Sequence, residues 1–439
     1  MTKSTFDLEQ QLLSDFDSKL TAEGVSGERL AYRLGILSKI GLTEDQGSRR
    51  PGFSQEEREA KNWIVKWMEE AGMQVREDGA GNIIGRLDGK HPDKPVIMSG
   101  SHVDTVPNGG HFDGTIGVLS ALEVAQSWKE TGYAPEKPLE IVAFTDEEGS
   151  RFNGGLTGSE AMMGDTDIEA MQTKKDFDGR SFEEVINDVG LSFEGFKSAG
   201  RPHSDIESYV EVHIEQGKRL EKEQLPCGIV TGIAGPYWLR LTFKGQAGHA
   251  GNTPMTDRQD ALVAAGHFIH YISHLPQKIN DSAVATVGNI EVKPNGTNVI
   301  PGEVIVYVDI RDIYEDTRQQ LIDAIIQTAE DISKSWAIIL TCETVHNVPP
   351  VPIKKELQDK LEKAMQGKGI RPYYLPSGAG HDAMIVGQHV PSAMIFVRSK
   401  DGISHNPAEW SDLSDCVQAV HILKDYIESC QSHQIIQQN

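Results

Sequence analysis

Val96-Ile97-Met98-Ser99-Gly100-Ser101-His102-Val103-Asp104-Thr105-Val106-Pro107-Asn108-Gly109-Gly110-His111-Phe112-Asp113-Gly114 is the stretch on which the fold turns. Its first three residues are a short apolar, strand-like run, and a glycine-rich turn follows. From about Gly117 to Lys129 the apolar residues recur at helical spacing. Strand, loop and helix in that order are the grammar of an α/β domain with helices over a mostly parallel sheet. Downstream, Leu139-Glu140-Ile141-Val142-Ala143-Phe144 reads as a second strand, and the chain closes with a strand at 393–397 and a helix at 413–427. Upstream, residues 54–72 predict an amphipathic helix. Ser54 and Glu57 make a capping box there, and Ala60, Trp63, Ile64, Trp67, Met68 and Ala71 share the apolar face.

The middle of the chain has a different order. A strand at 237–243, a helix at 257–273, strands at 284–292 and 304–310, a helix at 317–333 and a strand at 337–342 give β-α-β-β-α-β, the ferredoxin-like pattern. The expected architecture is therefore a discontinuous α/β catalytic domain, 1–227 and 346–439, interrupted by an inserted domain at 228–345. Pro349-Pro350-Val351-Pro352 marks the return, and residues 164–207 are acidic and carry no clear element.

At 439 residues the chain is too long for one ordinary core. Lys and Arg number 42 against 65 Asp and Glu, a formal charge of -23, which argues against nucleic acid and anionic membranes as partners. No apolar run approaches the ~18 residues that span a bilayer. Residues 1–9 lack the basic-then-apolar pattern of a signal segment. Cys227, Cys342, Cys416 and Cys430 follow no metal-binding spacing and read as reduced thiols of a cytoplasmic protein.

Potential metal ligands stand in glycine-rich surroundings at strand ends, where open α/β sheets build their sites. They are His102, Asp113, Glu147-Glu148, His213 and His405. A two-metal site needs a carboxylate between cations about 3.5–4 Å apart, with imidazoles and carboxylates outside. Asp113 is the bridging candidate; His102 and His213 would complete one cation, Glu148 and His405 the other. Asp104 is placed to accept the second N–H of the His102 imidazole. Glu147 is then free to take a proton from the attacking water and pass it to a leaving nitrogen. Two divalent cations are expected, zinc first, with manganese or cobalt also suiting this donor set.

GSHVDTVPNGGHFDG (100–114), FTDEEGSRF (144–152), VEVHIEQG (210–217), GQAGHAGNTPM (245–255), NVIPGEV (298–304), VDIRD (308–312), SGAGHDA (377–383) and FVRSKDGISHNPAEW (396–410) together resemble the M20 metallopeptidase clan. Within it they are similar to the amidase/carbamoylase branch of N-carbamoyl-L-amino-acid hydrolases, allantoate amidohydrolases and yeast-type β-ureidopropionases. The likeness runs from about residue 28 to 428, with the motifs in family order. It implies metal ligands at His102, Asp113, Glu148, His213 and His405 and a general base at Glu147. It also implies substrate contacts at Gln216, His249, Asn298 and Arg311, and an inserted lid domain through which the chain forms a homodimer. The residue types agree with those roles. Arg311 offers a planar fork to a carboxylate and Asn298 a donor beside it. His249 can stabilise a developing oxyanion, and Gln216 can hold the ureido group.

The implied reaction cleaves the carbamoyl C–N bond of an N-carbamoyl-L-amino acid, giving amino acid, ammonia and carbon dioxide. Allantoate amidohydrolase and β-ureidopropionase are the alternatives with the same machinery. A non-catalytic ligand-binding member would lack Glu147 or a metal ligand, and a phosphoryl hydrolase would need a phosphate-cradling loop; neither description fits. Other polar residues read as structural. His267, His270 and His274 are expected on a solvated helix face, with Leu262, Ile269 and Ile272 buried opposite. His111 reads as a loop residue, and Arg311-Asp312 as the surface ion pair Arg311 would make if it bound no substrate. His381-Asp382 is expected beside the site, supporting it or facing substrate.

Overall fold

The computed structural model describes residues 6–431; most of the opening segment judged above for signal character, residues 1–5, lies outside the described residues, as do 432–439. The chain divides into two compact units. One comprises the chain up to Val230, Ile353–Leu375 and His381 onward, and the other comprises Thr231–Pro352 with Pro376–Gly380. The insert thus returns at Pro352 rather than at 345. Its last strand does not stop at Cys342 but runs Ile339–Asn347, paired out to Asn347 opposite Tyr237.

In the first unit, four central strands lie in the order Leu139–Phe144, Val96–His102, Ile206–Ile214, Ser392–Val397, each parallel to its neighbour. Three of them are buried along their whole length, which is why they are written as near-continuous apolar runs. Antiparallel strands flank this core, with Ile83–Leu87 and Gln74–Glu77 on one side and Cys227–Ile233 on the other. Of the two short strands on the first side, Gln74–Glu77 is largely exposed while Ile83–Leu87 begins buried and ends half-buried, and neither gave a periodic signal. Helices Thr115–Thr131 and Leu413–Gln431 pack on each other, and both pack on the sheet.

The helix expected at 54–72 runs Gln55–Glu70, with the Ser54 hydroxyl accepting the Glu57 N–H. The reciprocal half of the capping box is absent. Glu57 instead accepts the N–H of Phe53 at 2.6 Å and pairs with Lys61 at 2.7 Å, because the helix start is buried and that carboxylate needs a cation. Residues 164–207 hold three short α-helices, Ile168–Thr173, Phe182–Asp188 and Phe193–Lys197, and a 3-10 turn at His203–Asp205. Their acidic surface conceals a small aromatic core built on Phe152, Phe182, Phe193 and Phe196.

The second unit is a four-stranded antiparallel sheet, ordered Ile339–Asn347, Gly235–Lys244, Glu303–Asp312, Val284–Lys293. Leu239, Leu241, Phe243, Val304, Val306, Val308 and Ile310 alternate onto one face and share a core with helices Ala261–Ile272 and Glu315–Ser335. The first of these helices begins at Ala261 rather than 257 because the Asp260 side chain caps it, accepting from Leu262 and Val263. His267 and His270 of this helix are exposed, and so is His274, expected on the same face, which lies beyond the helix end at Ile272. Leu262, expected to be buried, is 38 % exposed, since Ala261, Ala264, Ala265, Phe268 and Ile272 already form the apolar stripe and Leu262 falls off its edge. Among the described residues no helix is long and apolar enough to cross a membrane.

Candidate metal centre

The parallel strands deliver the site from their carboxyl ends. His102 is the last residue of its strand, His213 the last but one of its own; Glu147 and Glu148 follow Phe144, and His405 lies in the loop after Val397. Asp113 stands in the turn that opens helix Thr115–Thr131. His213 Nε2 lies 3.1 Å and His102 Nε2 3.5 Å from Asp113 Oδ1. His405 Nε2 is 3.6 Å from Asp113 Oδ2 and 3.3 Å from Glu148 Oε2. Besides the buried group Glu211–His213–His381, two trios share Asp113, His102–Asp113–His213 and Asp113–Glu148–His405, each with its ligand atoms within 4.8 Å of one another. Glu147 belongs to neither, and its Oε2 is 3.5 Å from His102 Nε2.

Local backbone explains the convergence. Gly114 has φ 59°, and a Cβ there would come within 2.3 Å of the His102 ring. Only glycine lets the Asp113 turn lie against that imidazole. The Nδ1 of His213 meets the carbonyl of Ile214 at 3.0 Å, which fixes the ring with Nε2 toward Asp113.

Asp104 behaves differently from expectation. The closer partner of His102 Nδ1 is the backbone carbonyl of Asp104, at 3.1 Å, with the carboxylate at 3.4 Å. The carboxylate oxygens instead accept the N–H groups of Glu147 and Glu148, each at 3.1 Å. With Asp146 at φ 55°, the turn after the Leu139–Phe144 strand presents successive N–H groups to that one anion.

The donor set fits divalent cations. Three imidazoles face Asp113, Glu147 and Glu148, while Asp104, Glu211, Asp382 and Glu409 are buried around them. His102 Nε2 and Glu148 Oε1 are buried with no hydrogen-bond partner. Burial raises Glu147 well above the usual carboxylate range against the pull of His102, with Glu148 adding to the rise. Burial likewise raises Glu148, reinforced by Asp113. So many buried carboxylates are expensive unless positive charge joins them.

Gln216, at φ 54°, donates from Nε2 to Asp113 Oδ2 at 2.8 Å and to Ser404 Oγ at 3.2 Å, while its Oε1 is buried and unpartnered. His249 and Asn298 meet in the second unit. The Gly248–His249 and Val299–Ile300 strands pair, and Ala250 N–H donates to the Asn298 carbonyl at 3.1 Å. The Nδ1 of His249 accepts from Gly251 and Asn252. Arg311 is paired, but not with Asp312. Its Nε and Nη2 donate to Asp309, at 2.9 and 2.8 Å, and Nη1 to the Gly378 carbonyl at 2.7 Å. Strand alternation puts 309 and 311 on one face and turns Asp312 inward to Asn280, Ser282 and Thr317.

His111 is a buried loop residue bound to the Ser48 hydroxyl at 2.7 Å and the Gln46 carbonyl at 2.9 Å, and burial pushes its imidazole down to about 4. The ring of His381 lies 4.3 Å from that of His213, tilted by 57°, and Asp382 beside it in sequence is buried. Two site residues escaped the sequence reading. Glu211 accepts from Ser101 Oγ, Tyr209 OH and the Ala383 N–H, and Glu409 accepts from the Phe112 and Asp113 N–H groups. Glu211 was findable by strand alternation, two residues before His213 on the same face; Glu409 had only its closeness to His405.

The model of the family described as peptidase family M20/M25/M40 matches residues 98–429. An N-carbamoyl-L-amino acid amidohydrolase of Geobacillus stearothermophilus is 44% identical, over 91% of this chain and 97% of its own. An allantoate amidohydrolase of Bacillus subtilis is 35% identical, over 89% and 94%. A crystal structure of a hydantoinase/carbamoylase family amidase from Burkholderia multivorans superposes with TM-score 0.84 at 34% identity, covering 92% of this chain and 98% of that one.

Proposed function

The chain belongs to peptidase family M20/M25/M40, and from that premise we propose that it hydrolyses N-carbamoyl-L-amino acids at the carbamoyl C–N bond, releasing amino acid, ammonia and carbon dioxide. The observation that carries this reading is the pair of ligand trios sharing Asp113, with Glu147 beside them, in a chain 44% identical to an amidohydrolase of that specificity. His102, Asp113 and His213 would hold one divalent cation, and Asp113, Glu148 and His405 the other, zinc in the first instance with manganese or cobalt as alternatives. Such cations polarise the scissile carbonyl and acidify water.

The side chains do the rest. Glu147, its proton affinity raised by burial, takes the proton of the attacking water and returns it to the leaving nitrogen. The unpartnered Gln216 Oε1 is an acceptor for a ureido N–H. Arg311 and Asn298 bind the substrate carboxylate, and His249 stabilises the oxyanion through its remaining nitrogen. The four free cysteines agree with a reducing, cytoplasmic setting, and the Thr231–Pro352 unit is the surface through which we place a homodimer.

Allantoate is the second reading, favoured by the 35% identical allantoate amidohydrolase; a β-ureidopropionase would use the same side chains. A panel of N-carbamoyl-L-amino acids, N-carbamoyl-β-alanine and allantoate, run on protein of measured metal content, decides among them. Preference for allantoate with little carbamoyl-amino-acid turnover would reverse the order, and no turnover of any member with two metals bound would end the proposal.

A further inference from the structure

Glu409 has no place among the ligand trios, yet it touches both loops that carry them. Its carboxylate is 3 % exposed. Oε1 accepts the backbone N–H of Phe112 at 2.9 Å and of Asp113 at 3.1 Å, so it fixes the peptide units that aim the shared carboxylate. Oε2 lies 3.0 Å from Ser404 Oγ, which is itself 2.8 Å from Asp113 Oδ2. The hydroxyl neighbouring His405 therefore stands between the two acids.

Two further features are shaped around this contact. A Cβ on Gly110 would fall 2.1 Å from the Glu409 carboxyl carbon, so the Gly109–Asp113 turn is cut back to admit that group. Phe112 and Trp410, the residues preceding Asp113 and following Glu409, pack edge to face at 5.7 Å and 72°. Glu409 is placed by its own loop as well, its N–H donating to the Asn406 carbonyl at 3.0 Å. The two ligand loops, almost 300 residues apart in sequence, are thus tied by hydrogen bonds and by an aromatic pair on the same two neighbours.

We infer that Glu409 is a positioning residue for the dinuclear centre, setting Asp113 and the His405 loop in one register so that a single carboxylate serves both cations. The inference rests on the metal-ligand reading above. Outer partners of this kind typically change metal affinity ~10–100-fold when removed.

The test is a titration of chelator-stripped protein with Zn²⁺ alone against a competing metal-sensitive dye, for wild type, Glu409→Ala, Glu409→Gln and Ser404→Ala. Glu409→Ala is expected to bind at least one cation ~10–100-fold more weakly while the metal-free protein keeps its far-UV spectrum. Glu409→Gln, which retains an oxygen for the two N–H groups, should lie closer to wild type. Wild-type affinity and stoichiometry in folded Glu409→Ala would overturn the role, and so would a Gln variant as weak as the Ala one. If Glu409→Ala fails to fold, Ser404→Ala carries the test, since it cuts the link between the acids, together with one contact from Gln216 Nε2, and leaves the Phe112 and Asp113 N–H groups on Glu409; weakened binding supports the role and unchanged binding overturns it. Wild-type protein that takes up no cation would instead sink the metal reading itself.

Discussion

The carboxylate of Asp104 accepts the backbone N–H of Glu147 at 3.1 Å. Its other oxygen accepts that of Glu148, so one buried anion holds the turn that presents both the proposed base and a proposed ligand. Asp104→Asn keeps the shape but replaces one acceptor by a donor facing an N–H group. Turnover should fall ~10–100-fold with the fold intact. Steady-state rates beside a near-ultraviolet spectrum check this, and wild-type kcat in Asp104→Asn would deny the turn its dependence on that carboxylate.

Glu147 lies outside both trios, although its Oε2 is 3.5 Å from His102 Nε2. Glu147→Gln should therefore leave bound metal near the wild-type amount while kcat falls by ~10²–10⁴. Metal analysis and turnover on one preparation separate the two effects. Loss of metal in parallel with rate would make Glu147 a ligand rather than the base.

Much of this site was legible in the sequence, for a reason visible in the sheet. A buried parallel strand is a compact apolar run, as at Leu139–Phe144, and a polar residue where such a run meets glycines, as His102 does, stands at the carboxyl edge. Backbone partners were not legible. The acceptor role of Asp104 depends on Asp146 at φ 55°, a conformation that no hydrophobic pattern announces. Glu409 was hidden because its donors, Phe112 and Asp113, belong to the other end of the chain. The partner of Arg311 was misread although the signal was available. Strand alternation places Asp309, not Asp312, beside it.

That pairing shapes what a change at Arg311 should do. Asp309 takes the Nε and Nη2 edge of the guanidinium, holding the side chain in place. Arg311→Lys would leave a point charge without the planar fork. KM for carboxylate-bearing substrates should rise ~10-fold or more, as loss of a charge-assisted hydrogen bond implies, with a smaller change in kcat. Unchanged KM for a carbamoyl amino acid would remove Arg311 from substrate binding.

Gly114→Ala would force a side chain into the left-handed region at φ 59° and set its Cβ 2.3 Å from the His102 ring. The conformation alone costs about 1 kcal/mol, and relieving the overlap must move either the turn or the imidazole. Metal content is expected to drop more than thermal stability does. Full metal occupancy with an unchanged melting temperature would show that the turn yields freely.

Acid–base behaviour offers a test away from the metals. Burial raises the Glu160 carboxyl to about 7; Lys174 opposes the rise and Asp165 adds to it. An unfolded chain titrates this group near ~4.3. Between those values the folded state holds a proton that the unfolded state has released. The favourable contribution of Glu160 is therefore complete below about 4.3 and is lost as pH rises toward 7. Glu160→Gln mimics the protonated form at every pH, so the variant should gain on wild type between pH 5 and pH 8 by on the order of 2 kcal/mol. Urea unfolding of both metal-free proteins at the two pH values measures this. A stability difference that does not change with pH would mean that the Glu160 carboxylate reaches water in the folded protein.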